Sequence, residues 1–361
     1  MLKPLVLAIC GVVLGACAHV SQPGALDAAD LLITSQMAER HIPGLSFAVL
    51  KNGVIVDQRS YGMANLETGT PATNDTVYAI GSITKSMTAI TVLRLQEKGL
   101  VALDEPVSTY VADLPDAWRG ISLRQLLSNV SGIPDFIDNP CAHEQTAAYK
   151  SSDALKEAAC LPLNFEPGER FEYTNTNFVL LSVVIEQVTE RRLGEVLSSE
   201  IFEPLGMSHT GMLDYVSIIP QRADGYFWTE NGLLNSEPME LEVEAGAGAV
   251  LSTTGDLIKY ISAIERRDLL SAESWDSAFI TYPVREGVTP YALGFGVTPY
   301  NKHRRVGHSG SAVGFATAFS YFPDDRLGIV VLSNGYEEPH GRSVSGLANE
   351  IAAFYFSLPE N

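Results

Sequence analysis

The chain has 361 residues, of which 46% are hydrophobic and 19% charged, enough apolar material for one large domain or two coupled ones. Its formal net charge is −19, so a basic stripe for nucleic acid is not expected. The seven histidines include no His-x-x-x-His pair, and the glycines near 246 lack the context of a phosphate loop. Neither a metal nor any other cofactor is therefore predicted.

Residues 1–18 predict a bacterial signal peptide, with Lys3 before an apolar run over 5–14. Leu14-Gly15-Ala16-Cys17 resembles a lipobox, which would lipidate Cys17 and tether the protein to a membrane. Ala16-Cys17-Ala18 also fits an ordinary signal-peptidase site. Both interpretations place the mature protein outside the cytoplasm, in the periplasm. In that setting Cys141 and Cys160 are either a disulfide pair or two free thiols.

The predicted elements place strands near both ends of the chain and helices between them. Two strand-like runs around Asn52-Gly53 predict a hairpin, and residues 82–99 predict an amphipathic helix that ends at Gly99. The other predicted elements are helices at 123–127, 177–188, 256–265 and 344–358, and strands at 304–307, 314–322 and 327–333. The sequence thus predicts an α/β (α+β) fold in one catalytic unit. Regions 28–81 and 290–361 would form an antiparallel sheet flanked by helices, around a mostly helical insertion over 82–289.

The most informative motif is Gly81-Ser82-Ile83-Thr84-Lys85-Ser86, at the start of the predicted helix. At a spacing of three residues, the Ser82 and Lys85 side chains lie on one helical face. A serine hydroxyl becomes a useful nucleophile when a neighbouring amine takes its proton. The pair therefore indicates covalent acyl transfer.

A second motif, Tyr173-Thr174-Asn175, lies in a loop before an apolar helix. A lysine ammonium would stabilise the Tyr173 phenolate and make this residue a proton carrier. Asn175 can bond both a lysine and a substrate amide. Alternatively, Tyr173 is a half-buried packing residue and Asn175 a helix cap.

A third motif, Val306-Gly307-His308-Ser309-Gly310, has glycines on either side of a polar pair. Such a strand lets a substrate backbone approach closely and pair with its edge. It can also supply one N–H to an oxyanion hole, with the Ser82 N–H as the other donor. Alternatively, His308 is a structural histidine.

In this order, the three motifs resemble the serine β-lactamase and penicillin-binding-protein superfamily. More narrowly, they resemble its class C-like branch of D-aminopeptidases, D,D-peptidases and esterases. The resemblance runs from about residue 30 to 356 and includes two supporting segments, 126–135 and 245–257. It implies that Ser82 is the nucleophile, that Lys85 and Tyr173 carry its proton, that Asn175 orients lysine and substrate, and that His308, Ser309 and Gly310 line the substrate edge.

The third motif departs from the β-lactamase pattern, in which a lysine usually stands where this chain has His308. The largely neutral histidine favours an esterase, aminopeptidase or amidase that takes a small-molecule or peptide substrate. Arg304, on the same face of the predicted strand, or Lys302 would be a local substitute for the missing charge. A D,D-peptidase or class C-like β-lactamase is the alternative. A non-catalytic penicillin-binding receptor is another, and an α/β-hydrolase centred on Ser309 would need a helix after that residue.

Overall fold

The computed structural model describes residues 23–137, 139–141, 150–213, 217–237, 245–285, 287–336 and 344–356. The predicted signal peptide over 1–18, with Cys17, lies outside the described residues. Within the described ranges, no helix is both long and apolar enough to cross a membrane.

The elements follow one another in the order that the sequence predicts, strands first, then mainly helices, then strands again. The strands are β1 (Gly44–Lys51), β2 (Val54–Asn65), β3 (Thr70–Pro71), β4 (Tyr78–Ala79), β5 (Gly211–Met212), β6 (Tyr226–Thr229), β7 (Gly232–Asn235), β8 (Val250–Ser252), β9 (Pro283–Val284), β10 (Gly287–Val288), β11 (Val306–Ala312), β12 (Phe315–Phe322), β13 (Leu327–Ser333) and β14 (Gly335–Tyr336). The helices are α1 (Pro23–Glu39), α2 (Thr84–Glu97), α3 (Leu123–Leu127), α4 (Ser151–Ala158), α5 (Asn175–Thr189), α6 (Leu193–Leu197), α7 (Glu203–Leu205), α8 (Ala245–Gly248), α9 (Thr254–Arg266), α10 (Ala272–Ala278) and α11 (Val344–Tyr355). Short 3₁₀ turns cover Gly81–Ile83, Val107–Thr109 and Pro323–Asp325, and a π turn covers Ser198–Phe202.

The main sheet is built from both ends of the chain, in the order β11-β12-β13-β1-β2-β3. Its centre is the antiparallel pairing of β1 with β13, in which Phe47 lies opposite Val331. Phe47 faces a core that includes α1 and α11, whereas its neighbour Ala48 faces the larger core on the other side. Successive strand residues point to opposite faces, so both faces of these central strands are covered and every residue of β1 and β13 is buried. The predicted antiparallel sheet from both termini is confirmed.

The hairpin between β1 and β2 turns at Asn52-Gly53, as predicted. Both residues have positive φ, 53° and 76°, the conformation that a two-residue type I′ turn requires. The predicted helices at 123–127, 177–188 and 256–265 correspond to α3, α5 and α9.

The prediction for residues 82–99 is only partly right. A 3₁₀ turn over Gly81–Ile83 precedes α2, and α2 ends two residues before Gly99. The helix is not amphipathic, because every residue from Thr84 to Leu93 is buried. Helices α5, α6 and α8 surround it, so its polar side chains bond inside the protein rather than facing water. The region predicted as mostly helical also holds the short strands β5 to β10.

Candidate active site

Ser82 lies in the 3₁₀ turn that starts α2, beside β11. The preceding Gly81 has φ 52°, and a Cβ there would lie 2.5 Å from the Ser311 carbonyl oxygen. Only glycine combines that backbone conformation with so close an approach of a second strand. One helical turn further on, Lys85 Nζ lies 2.9 Å from Ser82 Oγ, so the structure brings together the pair predicted from its spacing.

Lys85 is fully buried, and its Nζ also contacts two oxygens from distant parts of the chain. These are Asn175 Oδ1 and the Ala247 carbonyl oxygen, each at 2.7 Å. An ammonium group has three donors, which suits three oxygen neighbours. Ala247 belongs to the supporting segment 245–257, for which the sequence predicted no role.

Asn175 is the first residue of α5, whose N-cap is Thr174. Its backbone N–H and its Nδ2 both donate to Asp135 Oδ2, at 2.9 and 3.0 Å. A carboxylate oxygen facing Nδ2 determines the amide orientation, since the amide oxygen must then face Lys85. Asp135 therefore orients Asn175, a role that sequence reasoning missed. In the sequence, the only indication of this role was that Asp135 is the last residue of the supporting segment 126–135.

Tyr173 forms an exposed wall of this cleft, with 39% of the residue accessible to solvent. Its ring centroid lies 5.0 Å from Lys85 Nζ, so the phenol faces the lysine charge. The rings of Tyr291 and His308 also lie beside it, with centroids 6.0 and 6.2 Å away. The structure thus places Tyr173 next to both the Ser82–Lys85 pair and the third motif.

The third motif lies inside β11, which starts later than the predicted strand over 304–307 and extends to Ala312. This strand is the edge of the main sheet and packs against the turn that carries Ser82. Gly310 makes this packing possible, because a Cβ at that position would lie 1.9 Å from the Ile80 carbonyl oxygen. Strand β12 follows β11 directly, so Ser309 has no helix after it and does not form the elbow of an α/β-hydrolase.

The outer edge of β11 presents backbone groups to the cleft. Gly307 exchanges two backbone hydrogen bonds with Gly296, on the side away from β12. Because backbone direction alternates along a strand, the N–H groups of Ser309 and Ser311 point to that same outer side. Ser311 also lies against Gly81, so its N–H is directed towards the region of Ser82.

His308 is 8% exposed, and both of its ring nitrogens are bonded inside the protein. Nε2 lies 2.8 Å from the Tyr291 hydroxyl, and Nδ1 lies 2.6 Å from the Ser309 carbonyl oxygen. Burial, with the Lys85 charge as the next cause, lowers the pKa of His308 from 6.5 to about 3. The ring is therefore neutral at pH 7, and its nitrogens are engaged by the protein rather than directed at a substrate.

The suggested substitutes for a third-motif lysine do not reach the cleft. Arg304 precedes β11 and turns to the carboxylate of Asp324, and its side chain is 70% exposed. Lys302 is also exposed. The expectation that Arg304 shares a strand face with His308 is wrong, because the strand begins only at Val306.

Cys141 and Cys160 form a disulfide, with Cα atoms 6.6 Å apart. It links Cys141, shortly after Asp135 in the chain, to Cys160, which follows α4. Within the part of the chain that the structure describes, no group of three His, Cys, Asp or Glu side chains could hold a metal ion.

The family model described as Beta-lactamase matches residues 29–353 of this chain. Penicillin-binding protein 4* of Bacillus subtilis is 30% identical over 322 residues, which are 84% of this chain and 70% of that protein. Protein flp of Staphylococcus aureus is 28% identical over 333 residues, 89% of this chain and 66% of that protein. The chain thus spans about two thirds of the length of these relatives.

Solved structures share the fold. The octameric penicillin-binding protein homologue from Pyrococcus abyssi has a TM-score of 0.80 and 30% identity, over 91% of this chain and 77% of that one. The D-amino acid amidase of Ochrobactrum anthropi SV3, solved with D-phenylalanine, has a TM-score of 0.81 over 92% of this chain and 99% of that one. Its identity of 23% supports the fold alone. The fold predicted from the three motifs is confirmed.

Proposed function

The chain belongs to the beta-lactamase family, and we propose that it is a serine hydrolase that forms an acyl-enzyme on Ser82. Its substrate would be an ester, an amide or a D-amino peptide with a carbonyl carbon open to attack. The observation that carries this proposal is the 2.9 Å approach of Lys85 Nζ to Ser82 Oγ, beside the exposed Tyr173 phenol. A nucleophile within hydrogen-bond reach of a base, which a third group orients, is the arrangement that covalent catalysis needs.

Lys85 is placed to receive the serine proton. A neutral amine has two N–H donors, which match the acceptors Asn175 Oδ1 and the Ala247 carbonyl. Its lone pair then points to the Ser82 hydroxyl and can accept that proton as Oγ attacks the substrate carbonyl. The protonated form donates to the same three oxygens, so the site accommodates both charge states.

Two backbone donors would stabilise the tetrahedral intermediate. The N–H of Ser82 and the outward N–H of Ser311, which lies against Gly81, would both donate to the carbonyl oxygen as it becomes negative. Tyr173 would pass a proton to the leaving group as its bond to the carbonyl carbon breaks. It would then take a proton from the water that attacks the acyl-enzyme. As the bond from the carbonyl carbon to Ser82 Oγ breaks and the acid leaves, protonated Lys85 would return its proton to Oγ.

The charge of the site favours substrates without a carboxylate next to the scissile bond. His308 is neutral, and Arg304 is bonded to Asp324 at the surface, so neither supplies the positive charge that a third-motif lysine would. A carboxylate needs such a partner to leave water at low cost. This supports esterase or aminopeptidase and amidase activity over D,D-peptidase or β-lactamase activity.

Two experiments test this proposal. A fluorophosphonate probe should label the wild-type protein and Ser309→Ala but not Ser82→Ala, which identifies the nucleophile. Turnover is then compared for p-nitrophenyl butyrate, a D-alanyl anilide, a D-Ala-D-Ala peptide and nitrocefin. We expect kcat/KM for the best of the first two to exceed that for the last two by at least about tenfold.

Each result has a distinct consequence. Ester turnover that survives in Ser82→Ala would refute the nucleophile. Faster turnover of nitrocefin or of the D-Ala-D-Ala peptide would refute the substrate class and favour the β-lactamase or D,D-peptidase alternative. Labelling of Ser82 without turnover of any substrate would instead indicate a penicillin-binding receptor.

We further propose that the protein is exported to the periplasm, where lipidation of Cys17 would tether it to a membrane. The disulfide between Cys141 and Cys160 supports an oxidising compartment. Labelled palmitate should be incorporated into the wild-type protein but not into Cys17→Ser. Incorporation into neither would favour cleavage at the ordinary signal-peptidase site.

A further inference from the structure

The hydrogen bonds of His308 determine which of its nitrogens carries the proton. Nδ1 lies 2.6 Å from the Ser309 carbonyl oxygen, which can only accept a hydrogen bond. Nδ1 must therefore carry a hydrogen. In the neutral ring Nε2 is then a bare acceptor, and the Tyr291 hydroxyl, 2.8 Å away, must donate to it.

The surroundings of His308 oppose a second proton on the ring. Lys85 of α2, in its ammonium form, and Arg305, just before β11, both lower the pKa of His308. On β12, the apolar Phe319 lies opposite His308 in the sheet register. Tyr173 and Tyr291 complete the surroundings with phenol rings whose centroids lie 6.2 and 5.6 Å from the imidazole.

Tyr291 is itself suited to act as a donor. The residue is 5% exposed, and burial, together with the nearby Tyr173, raises its pKa well above 10. Its hydroxyl therefore keeps its proton over the whole range in which a hydrolase works. Its ring packs edge-on against Tyr173, with centroids 6.0 Å apart.

We propose that Tyr291 is a positioning residue that holds His308 as the neutral Nδ1–H tautomer, so that the wall beside Tyr173 stays uncharged. The inference rests on the proposed hydrolase function and adds a residue to it. An imidazolium at position 308 would lie beside both Tyr173 and Lys85. Its charge would stabilise the Tyr173 phenolate and disfavour the ammonium form of Lys85. Both effects would disturb the proton transfer that Lys85 and Tyr173 carry out.

The kinetic test is the pH dependence of kcat/KM in Tyr291→Phe, measured with the ester or amide that the wild type hydrolyses. The variant keeps the ring but leaves Nε2 without a donor, which favours protonation. We expect the protonated fraction of His308 at a given pH to rise about tenfold. The loss of kcat/KM that His308 protonation causes at low pH, the acid limb of the profile, should therefore begin about one pH unit higher. The matched control is Tyr355→Phe, which also loses one buried hydroxyl bond, to Asp57 at 2.6 Å, but on the other face of the sheet.

A double-mutant cycle separates positioning from a merely structural role. Glutamine at position 308 cannot titrate, so Tyr291→Phe should leave the acid limb unchanged when His308→Gln is already present. An equal shift in both backgrounds, or the same shift in Tyr355→Phe, would overturn the proposal. So would a Tyr291→Phe profile identical to that of the wild type.

An NMR measurement tests the tautomer that the proposal requires, without activity. Long-range ¹H–¹⁵N spectra of histidine-labelled wild-type protein, assigned with His308→Gln, report which ring nitrogen carries hydrogen. We expect Nδ1–H with a bare Nε2 from pH 5 to 8. An Nε2–H tautomer or an imidazolium at pH 7 would overturn the proposal even if Tyr291→Phe fails to fold. The expected tautomer in a protein without turnover would instead refute the hydrolase function alone.

Discussion

The substitution Gly310→Ala tests whether the reaction depends on the close approach of β11 to the turn before Ser82. A methyl group at position 310 would lie 1.9 Å from the Ile80 carbonyl oxygen and 2.5 Å from Thr317 Oγ1. Real Cβ atoms essentially never come closer than 3.0 Å, so the strand must retreat from Ile80 by about 1 Å. That movement carries the Ser311 N–H away from Ser82.

The expected cost follows from this displacement. A misplacement of about 1 Å between reacting groups lowers the rate by about 100-fold. Overpacking at a buried position destabilises a protein by about 1–3 kcal/mol, which leaves a large folded domain intact. We therefore expect Gly310→Ala to fold with a lower thermal midpoint and to lose about 100-fold in acylation rate.

The assay is the rate of acylation by a p-nitrophenyl ester, measured well below the thermal midpoint of each variant. Gly296→Ala is the matched control on the same strand edge, because its Cβ would meet the Gly307 carbonyl oxygen at 3.3 Å. That contact needs a shift of only a few tenths of an ångström, so its rate should stay within about threefold of the wild type. A folded Gly310→Ala that acylates as fast as the control would refute a role for β11 in stabilising the oxyanion.

Three further predictions concern the other side chains of the site. Tyr173→Phe should lower kcat/KM by about 10²–10⁴-fold with little change in thermal midpoint, because it removes a proton carrier from a residue that is 39% exposed. Asp135→Ala should lower kcat by at least about tenfold, because the Asn175 amide loses the acceptor that directs its oxygen to Lys85. The free energy of unfolding, from urea titrations, should fall as the pH drops from 6.5 towards 3. The unfolded chain protonates His308 near its ordinary pKa of 6.5, whereas the folded protein does so only near a pKa of 3. The stabilisation that neutral His308 gives the folded protein is complete above pH 6.5 and falls by at most about 1.4 kcal/mol per pH unit below it. This pH dependence should be missing in His308→Gln.

Each of these predictions has a contrary result. Near-normal turnover of Tyr173→Phe would place the proton carrier elsewhere. An unchanged kcat in Asp135→Ala would show that Asn175 keeps its orientation without the carboxylate. Equal slopes of unfolding free energy against pH for wild type and His308→Gln would show that the folded protein protonates the ring as readily as the unfolded chain.

The features that the sequence alone determined are those set by neighbours along the chain. Asn52-Gly53 predicts its turn because both residues tolerate positive φ, and the strands on either side follow. The approach of Lys85 to Ser82 follows from their spacing at the start of a helix. The central strands β1 and β13 were also predicted, because residues of high strand propensity fill them.

Sequence reasoning went wrong where packing decides. Helix α2 carries polar residues that suggest an exposed face, yet its neighbours bury every residue from Thr84 to Leu93. Arg304 was expected on the same strand face as His308. Because β11 begins only at Val306, Arg304 lies outside the strand and bonds Asp324 instead. Neither outcome depends on local propensity, since each is set by which distant segment lies alongside.

The same reason explains which parts of the site only the tertiary structure revealed. The Ala247 carbonyl lies 162 positions from Lys85, Asp135 lies 40 from Asn175, and Tyr291 lies 17 from His308. Carbonyls, carboxylates and phenols are common in any chain, so no local pattern marks the few that meet at one lysine, one amide and one imidazole. The sequence predicted the Ser82–Lys85 pair, because the spacing of these two residues is local. The fold decided how those groups are oriented and which of them carries charge, because burial and hydrogen bonding depend on what the rest of the chain places around them.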